Sequence, residues 1–117
     1  WVAGGIGITP FIARMQALAL APDGKRIDLF YTTSAPDAVF INKVRQRAED
    51  AGVTLHVLVS QRDGRLDARR IAAAVPDWKA ADFWFCGPAA FGSALREAFT
   101  DQGLPAADFH QELFDMR

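Results

Sequence analysis

The residues best placed to do chemistry open the chain. Trp1-Val2-Ala3 reads as the end of a buried strand, and Gly4-Gly5-Ile6-Gly7-Ile8-Thr9-Pro10 follows it. Gly5 and Gly7 let a backbone turn tightly and approach a ligand with no Cβ in the way. Thr9 is placed to act as a helix N-cap and Pro10 as the first helical residue, where no N–H bond is required. A helix starting there points its N–H groups and the positive end of its dipole at the turn, an arrangement suited to a phosphate. The pattern is G-x-G-x-x-P, and a turn that is merely structural is the alternative reading.

Two further groups share this character. Cys86-Gly87-Pro88 ends a later apolar run. Cys is small and polarizable, so a flat ring can pack on it, although a buried Cys acting as a small hydrophobe is the plainer reading. In the tail Phe109-His110-Gln111-Glu112-Leu113-Phe114, Glu112 and Phe114 alternate along a strand and share a side, as an acid and an aromatic flanking a ring would. Arg62 and Arg65 sit in a polar stretch that could meet an anion or simply be solvated. His56 and His110 have no metal-ligand spacing and read as structural, so no metal site is expected.

These groups need elements to hold them. Phe11, Ile12, Met15, Leu18 and Ala19 recur at helical spacing, and Pro22-Asp23-Gly24 ends that helix. Ile27 to Thr33 is predicted to be a strand, Ser34 to Asp37 a helix start, and Phe40, Ile41, Val44 and Ala48 the apolar stripe of a helix stopped by Gly52. Val53 to Val59 is a third strand, Ser60 to Arg65 a polar loop, and Leu66 to Val75 a short helix. Ala81 to Cys86 is a fourth strand. A helix with Phe91, Leu95 and Phe99 follows, ended by Gly103-Leu104-Pro105, and Asp108 to Phe114 is a last strand. The alternation predicts an α/β, Rossmann-like fold: a doubly wound, five-stranded parallel sheet in order 3-2-1-4-5 with helices on both faces. Ligands in such sheets sit outside the carboxyl ends of the strands, at the switch point.

Composition narrows the function. The chain has 117 residues, about one domain, with thirteen Lys+Arg against fourteen Asp+Glu and a net charge of −1. That balance offers no electrostatic footprint for nucleic acid. The single Cys excludes an internal disulfide and a Cys-cluster metal site. Apolar runs fall short of the roughly 20 residues of a membrane span. The opening on Trp1 suggests a fragment whose first strand is truncated. A dehydrogenase of the common type holds its adenosine ribose with an acid at the end of strand two. Here that end is Tyr31-Thr32-Thr33-Ser34, so a 2′-phosphate or another mode of holding is expected.

Taken in order and at these intervals, G-I-G-I-T-P, C-G-P and a terminal E-x-aromatic resemble the NAD(P)-binding domain of the ferredoxin–NADP reductase superfamily over residues 1–117. The opening run and the tail are most similar to its ferric reductase and NADPH-oxidase-like branch. The resemblance implies that Gly5, Gly7, Thr9 and Pro10 form the pyrophosphate turn, and that Cys86, followed by Gly87 and Pro88, lies beside the nicotinamide. It implies that Glu112 is the acid near that ring and Phe114 the aromatic that covers the flavin. Arg62 and Arg65 lie where such domains place a cation for NADPH. Asp115-Met116-Arg117 extend past the aromatic, whereas the plant-type enzymes end there.

The implied activity is NADPH or NADH binding and hydride delivery to an FAD held by a preceding domain of the same chain, absent from this sequence. Single electrons then pass to haem, ferric iron or an iron–sulfur protein. Alternatives are a ferredoxin- or oxygenase-type reductase domain and a non-catalytic nucleotide sensor. The expected compartment is the cytoplasm, either free or as the cytoplasmic domain of a membrane protein.

Overall fold

The computed structural model describes residues 1–22 and 24–111. Five strands form one parallel sheet in the order β3-β2-β1-β4-β5, as the alternating pattern predicts. They are β1 (Val2–Gly4), β2 (Asp28–Thr33), β3 (Thr54–Val59), β4 (Phe83–Cys86) and β5 (Phe109–His110). Val2 pairs with Phe30 on one side and Phe85 on the other, so β1 lies at the centre.

The helices are α1 (Thr9–Leu20), α2 (Ala38–Ala51), α3 (Ser60–Asp63), α4 (Ala68–Ala74) and α5 (Ala89–Asp101). Side chains alternate across the strands, and the core divides accordingly. Ala3, Leu29 and Tyr31 meet Phe11 and Met15 of α1 and Val44 and Ala48 of α2. Val2, Phe30, Phe83, Phe85 and Phe109 meet Ile71 of α4, Leu95 and Phe99 of α5, and Trp78. Both faces are therefore covered, which is why β1, β2 and β4 read as nearly continuous apolar runs.

Local chemistry sets the helix limits. The Asp37 carboxylate accepts from the N–H groups of Val39 (3.0 Å) and Phe40 (3.2 Å) and starts α2. Gly52, at φ 71°, ends it by donating to the carbonyls of Ala48 and Glu49. Asp67 accepts from Arg70 N–H at 2.9 Å and starts α4.

Three local expectations are corrected. Thr9 is not an N-cap. The 3₁₀ turn Gly5–Ile8 runs straight into α1, and Ile8 is already helical, so no extended residue is left to cap the first turn. Pro10 does lie in that first turn. The polar loop after β3 begins as a helical turn, α3, closed by Gly64 at φ 76°. The helix expected from Leu66 starts only at Ala68, because Asp67 caps there and Leu66 is buried in the core. Of the last strand, Phe109–His110 is described, paired with Phe83 and Trp84.

Candidate functional site

Strand β1 sits where the order reverses, so the carboxyl ends of β1 and β4 form the switch point. Two turns meet there. One is Gly5–Ile8 after β1, and the other is Cys86-Gly87-Pro88 after β4. Their backbones touch. A Cβ on Gly7 would fall on the carbonyl oxygen of Cys86 and 2.6 Å from its carbonyl carbon. A Cβ on Gly87 would come within 3.1 Å of Gly4 Cα. Gly5 is a glycine for another reason: its φ is +58°, and a Cβ there would meet open space. The requirement for glycine at position 7 thus has a packing cause that holds without any ligand.

The helices leaving these turns differ at the N-cap from α2 and α4, while the four-residue α3 also starts, at Val59, without a side-chain cap. At α1 the N-cap residue is Ile8 and at α5 it is Pro88, and neither makes a side-chain cap hydrogen bond. Neither helix carries an acid in its first turn. Helices α2 and α4, which start elsewhere on the sheet, each have an Asp cap. Two helix starts without side-chain caps therefore converge on the switch point, a polarity that favours an anion there.

The remaining residues distribute as follows. Cys86 is half-buried at the end of β4, paired with Ala3, on the α1 side of the sheet. Gly87 and Pro88 are exposed and Pro10 is half-buried. Arg62 and Arg65 lie after β3, two strands away from the glycine turn, or about 10 Å by strand spacing. The fold puts them on the same edge without bringing them into the turn. Arg65 is exposed, and Arg62 is paired with Asp63 through Nη2 at 3.0 Å. Glu112 and Phe114 lie outside the described residues. Gln111, just before them, donates to the carbonyl of Ala89 in the first turn of α5 at 3.4 Å, so the described chain reaches the Cys86–Pro88 turn.

Both histidines are tied to an Asp of the neighbouring strand region. His56 Nε2 is 3.1 Å from Asp28 and its ring stacks on Phe30. His110 Nε2 is 2.6 Å from Asp82 and its ring stacks on Trp84. A cleft of about 950 Å³, bordered by Trp1, Arg14, Asp28 and Trp84, opens at the amino ends of the strands, opposite the glycine turn. Sequence reasoning missed Asp63, Gln111 and Gly92. A mid-helix glycine was the available signal for Gly92: a Cβ there would stand 2.5 Å from Gln111 Nε2 and 2.6 Å from Phe85 Cε1.

The sequence has relatives among known proteins. The chain is 34% identical over 92 residues to an NADPH oxidoreductase of Mycobacterium tuberculosis, covering 75% of this chain and 24% of that protein. It is 26% identical over 113 residues to the ferredoxin reductase component of a 3-ketosteroid-9-alpha-monooxygenase of Rhodococcus rhodochrous (95% and 32%). It is 30% identical over 122 residues to a flavohemoprotein of Xylella fastidiosa (97% and 30%). The relatives support an NAD(P)-binding domain of the ferredoxin–NADP reductase type. They do not select the ferric reductase branch. No protein-family profile matches the chain. The chain spans about a quarter to a third of the length of these relatives. Among its described residues, no helix is long and apolar enough to cross a membrane.

Proposed function

We propose that residues 1–117 are the NAD(P)H-binding half of a flavin-dependent oxidoreductase whose FAD is held by another domain of the same protein. The observation that carries this reading is the meeting of two helix starts without side-chain caps at a glycine turn on the switch point. The backbone of Gly5–Thr9 would hold the pyrophosphate, with Pro10 fixing the start of α1. Gly87 and Pro88 keep the second turn close against Gly4, and the half-buried Cys86 offers a small surface on which a nicotinamide can lie. Arg62, paired with Asp63, and Arg65 are the cations proposed for the adenosine end. Glu112 and Phe114 follow Gln111, whose anchor on α5 brings the preceding chain to the same turn. When bound, NAD(P)H supplies a hydride to the flavin; the protein supplies orientation and excludes water. The proposed acceptor is a one-electron centre: haem, ferric iron or an iron–sulfur protein. The ferric reductase-like form of this proposal rests on the Trp1–Phe11 run and the tail.

The test is transient kinetics on the full-length protein. Cys86→Ala is expected to slow flavin reduction by NADPH at least tenfold, with nucleotide affinity changed by less than about threefold, because an orientation defect acts on the reaction step. A full-length protein that binds NAD(P)H but carries no flavin would refute the reading in favour of a nucleotide sensor.

A further inference from the structure

An ion pair at the carboxyl end of β3 bears on cofactor choice. Asp63 Oδ2 accepts the N–H of Val59 at 2.8 Å, which fixes the carboxylate where β3 turns into α3. Arg62 places both Nε (3.2 Å, to Oδ1) and Nη2 (3.0 Å, to Oδ2) on that carboxylate. The Arg62 side chain is 70% exposed and that of Asp63 30%, so the acid is the held partner and the cation leans on it. The two preceding residues bond to the end of β2. Ser60 Oγ donates to the carbonyl of Thr33 at 3.4 Å, and Gln61 Nε2 donates to that of Ser34. Those carbonyls mark the end of β2, where dinucleotide-binding sheets hold the adenosine ribose. The turn therefore presents Ser60 and Gln61 to the ribose position, while Arg62 is drawn toward a carboxylate.

We propose that Asp63 is a specificity-determining residue that holds Arg62 in an ion pair and so reduces the advantage of a 2′-phosphorylated nucleotide over its unphosphorylated counterpart. This rests on the function proposed above. A 2′-phosphate that engages Arg62 must displace or share a charge-assisted carboxylate contact of similar kind, so the net gain is small. The hydrogen bond from Arg62, followed by that from Val59 N–H, holds the Asp63 carboxyl below the usual carboxylate range, so the acid keeps its charge at neutral pH.

The experiment measures binding of NADPH, NADH, 2′,5′-ADP and 5′-AMP to the full-length protein. Asp63→Asn keeps an oxygen to accept from Val59 N–H and removes the charge. It is expected to tighten NADPH and 2′,5′-ADP by roughly five- to tenfold, with NADH and 5′-AMP within twofold. The gain should disappear in the Arg62→Gln/Asp63→Asn double variant and shrink as salt is raised. Equal effects on both nucleotide classes, no effect, or a gain that survives the double change would overturn the proposal. Arg62→Gln alone gives an independent arm that leaves Asp63 in place. A loss of NADPH affinity within about threefold is expected, because the cation is already engaged, and a loss beyond tenfold would overturn it. If the wild-type protein binds none of the four nucleotides, the underlying function fails, which is a result distinct from unaltered selectivity in a protein that binds them.

Discussion

Gly5 and Gly7 stand two residues apart, and glycine serves a different physical need at each. At Gly5 the need is conformational, a φ of +58° with free space around the missing Cβ. Asn adopts this left-handed region at little cost, so Gly5→Asn should leave the melting temperature nearly unchanged. At Gly7 the need is spatial, because a Cβ would meet the Cys86 backbone. Backbone cannot move aside as a flexible side chain can, so Gly7→Ala should cost about 1–3 kcal/mol. Thermal denaturation of the two variants tests the distinction; equal losses would refute it. A lowered nucleotide affinity in Gly7→Ala would then report the separation of two turns as well as any direct contact with phosphate.

Among the elements, the helices separate by how they begin. Asp37 closes the first turn of α2 with two N–H bonds, so Asp37→Ala should destabilise the domain by about 1 kcal/mol without altering nucleotide binding. Helix α5 carries a glycine at position 92, buried in its second turn. In an exposed helix Gly→Ala would stabilise by roughly 0.5–1 kcal/mol. Here the new methyl would overlap Phe85 and Gln111, so Gly92→Ala should lower the melting temperature despite the better helix propensity. In the full-length protein it should also change the flavin-reduction rate, since Gln111 immediately precedes Glu112. A rise in melting temperature would show that Phe85 and Gln111 yield freely.

At the scale of the whole molecule, the two sheet edges differ in character. The carboxyl edge carries the glycine turn and the two helix starts whose N-cap residues make no side-chain cap hydrogen bond. The amino edge carries the cleft and, in the 117-residue polypeptide, the α-amine of Trp1, which donates to the Asp28 carbonyl at 2.9 Å. Burial lowers the pKa of this amine to about 6, against the opposing pull of Asp28 and Asp82. The unfolded amine takes up its proton near its ordinary value of 8.0, and the folded one only near 6. Between these values the unfolded state binds more protons, so stability falls as pH drops from 8 to 6 and this contribution then levels off. The total is about 2–3 kcal/mol. Acetylating the α-amine of this polypeptide should remove that part of the pH dependence. Identical profiles before and after acetylation would show that the amine reaches water.

The sequence by itself determined the strand order and the two-faced core. Alternating periods and short crossovers admit few topologies, and side-chain parity along Val2-Ala3, Leu29-Phe30-Tyr31 and Phe83-Trp84-Phe85-Cys86 assigns each residue to a face. It also marked the Gly5–Pro10 and Cys86–Pro88 turns, since Gly and Pro report backbone demands locally. The tertiary structure alone decided how those turns meet. That Gly7 faces the Cys86 carbonyl, and Gly92 faces Gln111, depends on separations of some 80 and 20 residues that no local pattern encodes. The same holds for α3, Asp63 and the misread Thr9 cap. A four-residue helical turn carries too little periodicity to be seen, and whether Asp63 meets Arg62, solvent or a backbone N–H is settled by where β3 delivers Val59. Side-chain pairing follows from the path of the folded backbone, which is why the chemistry-bearing residues were legible one by one and their mutual arrangement was not.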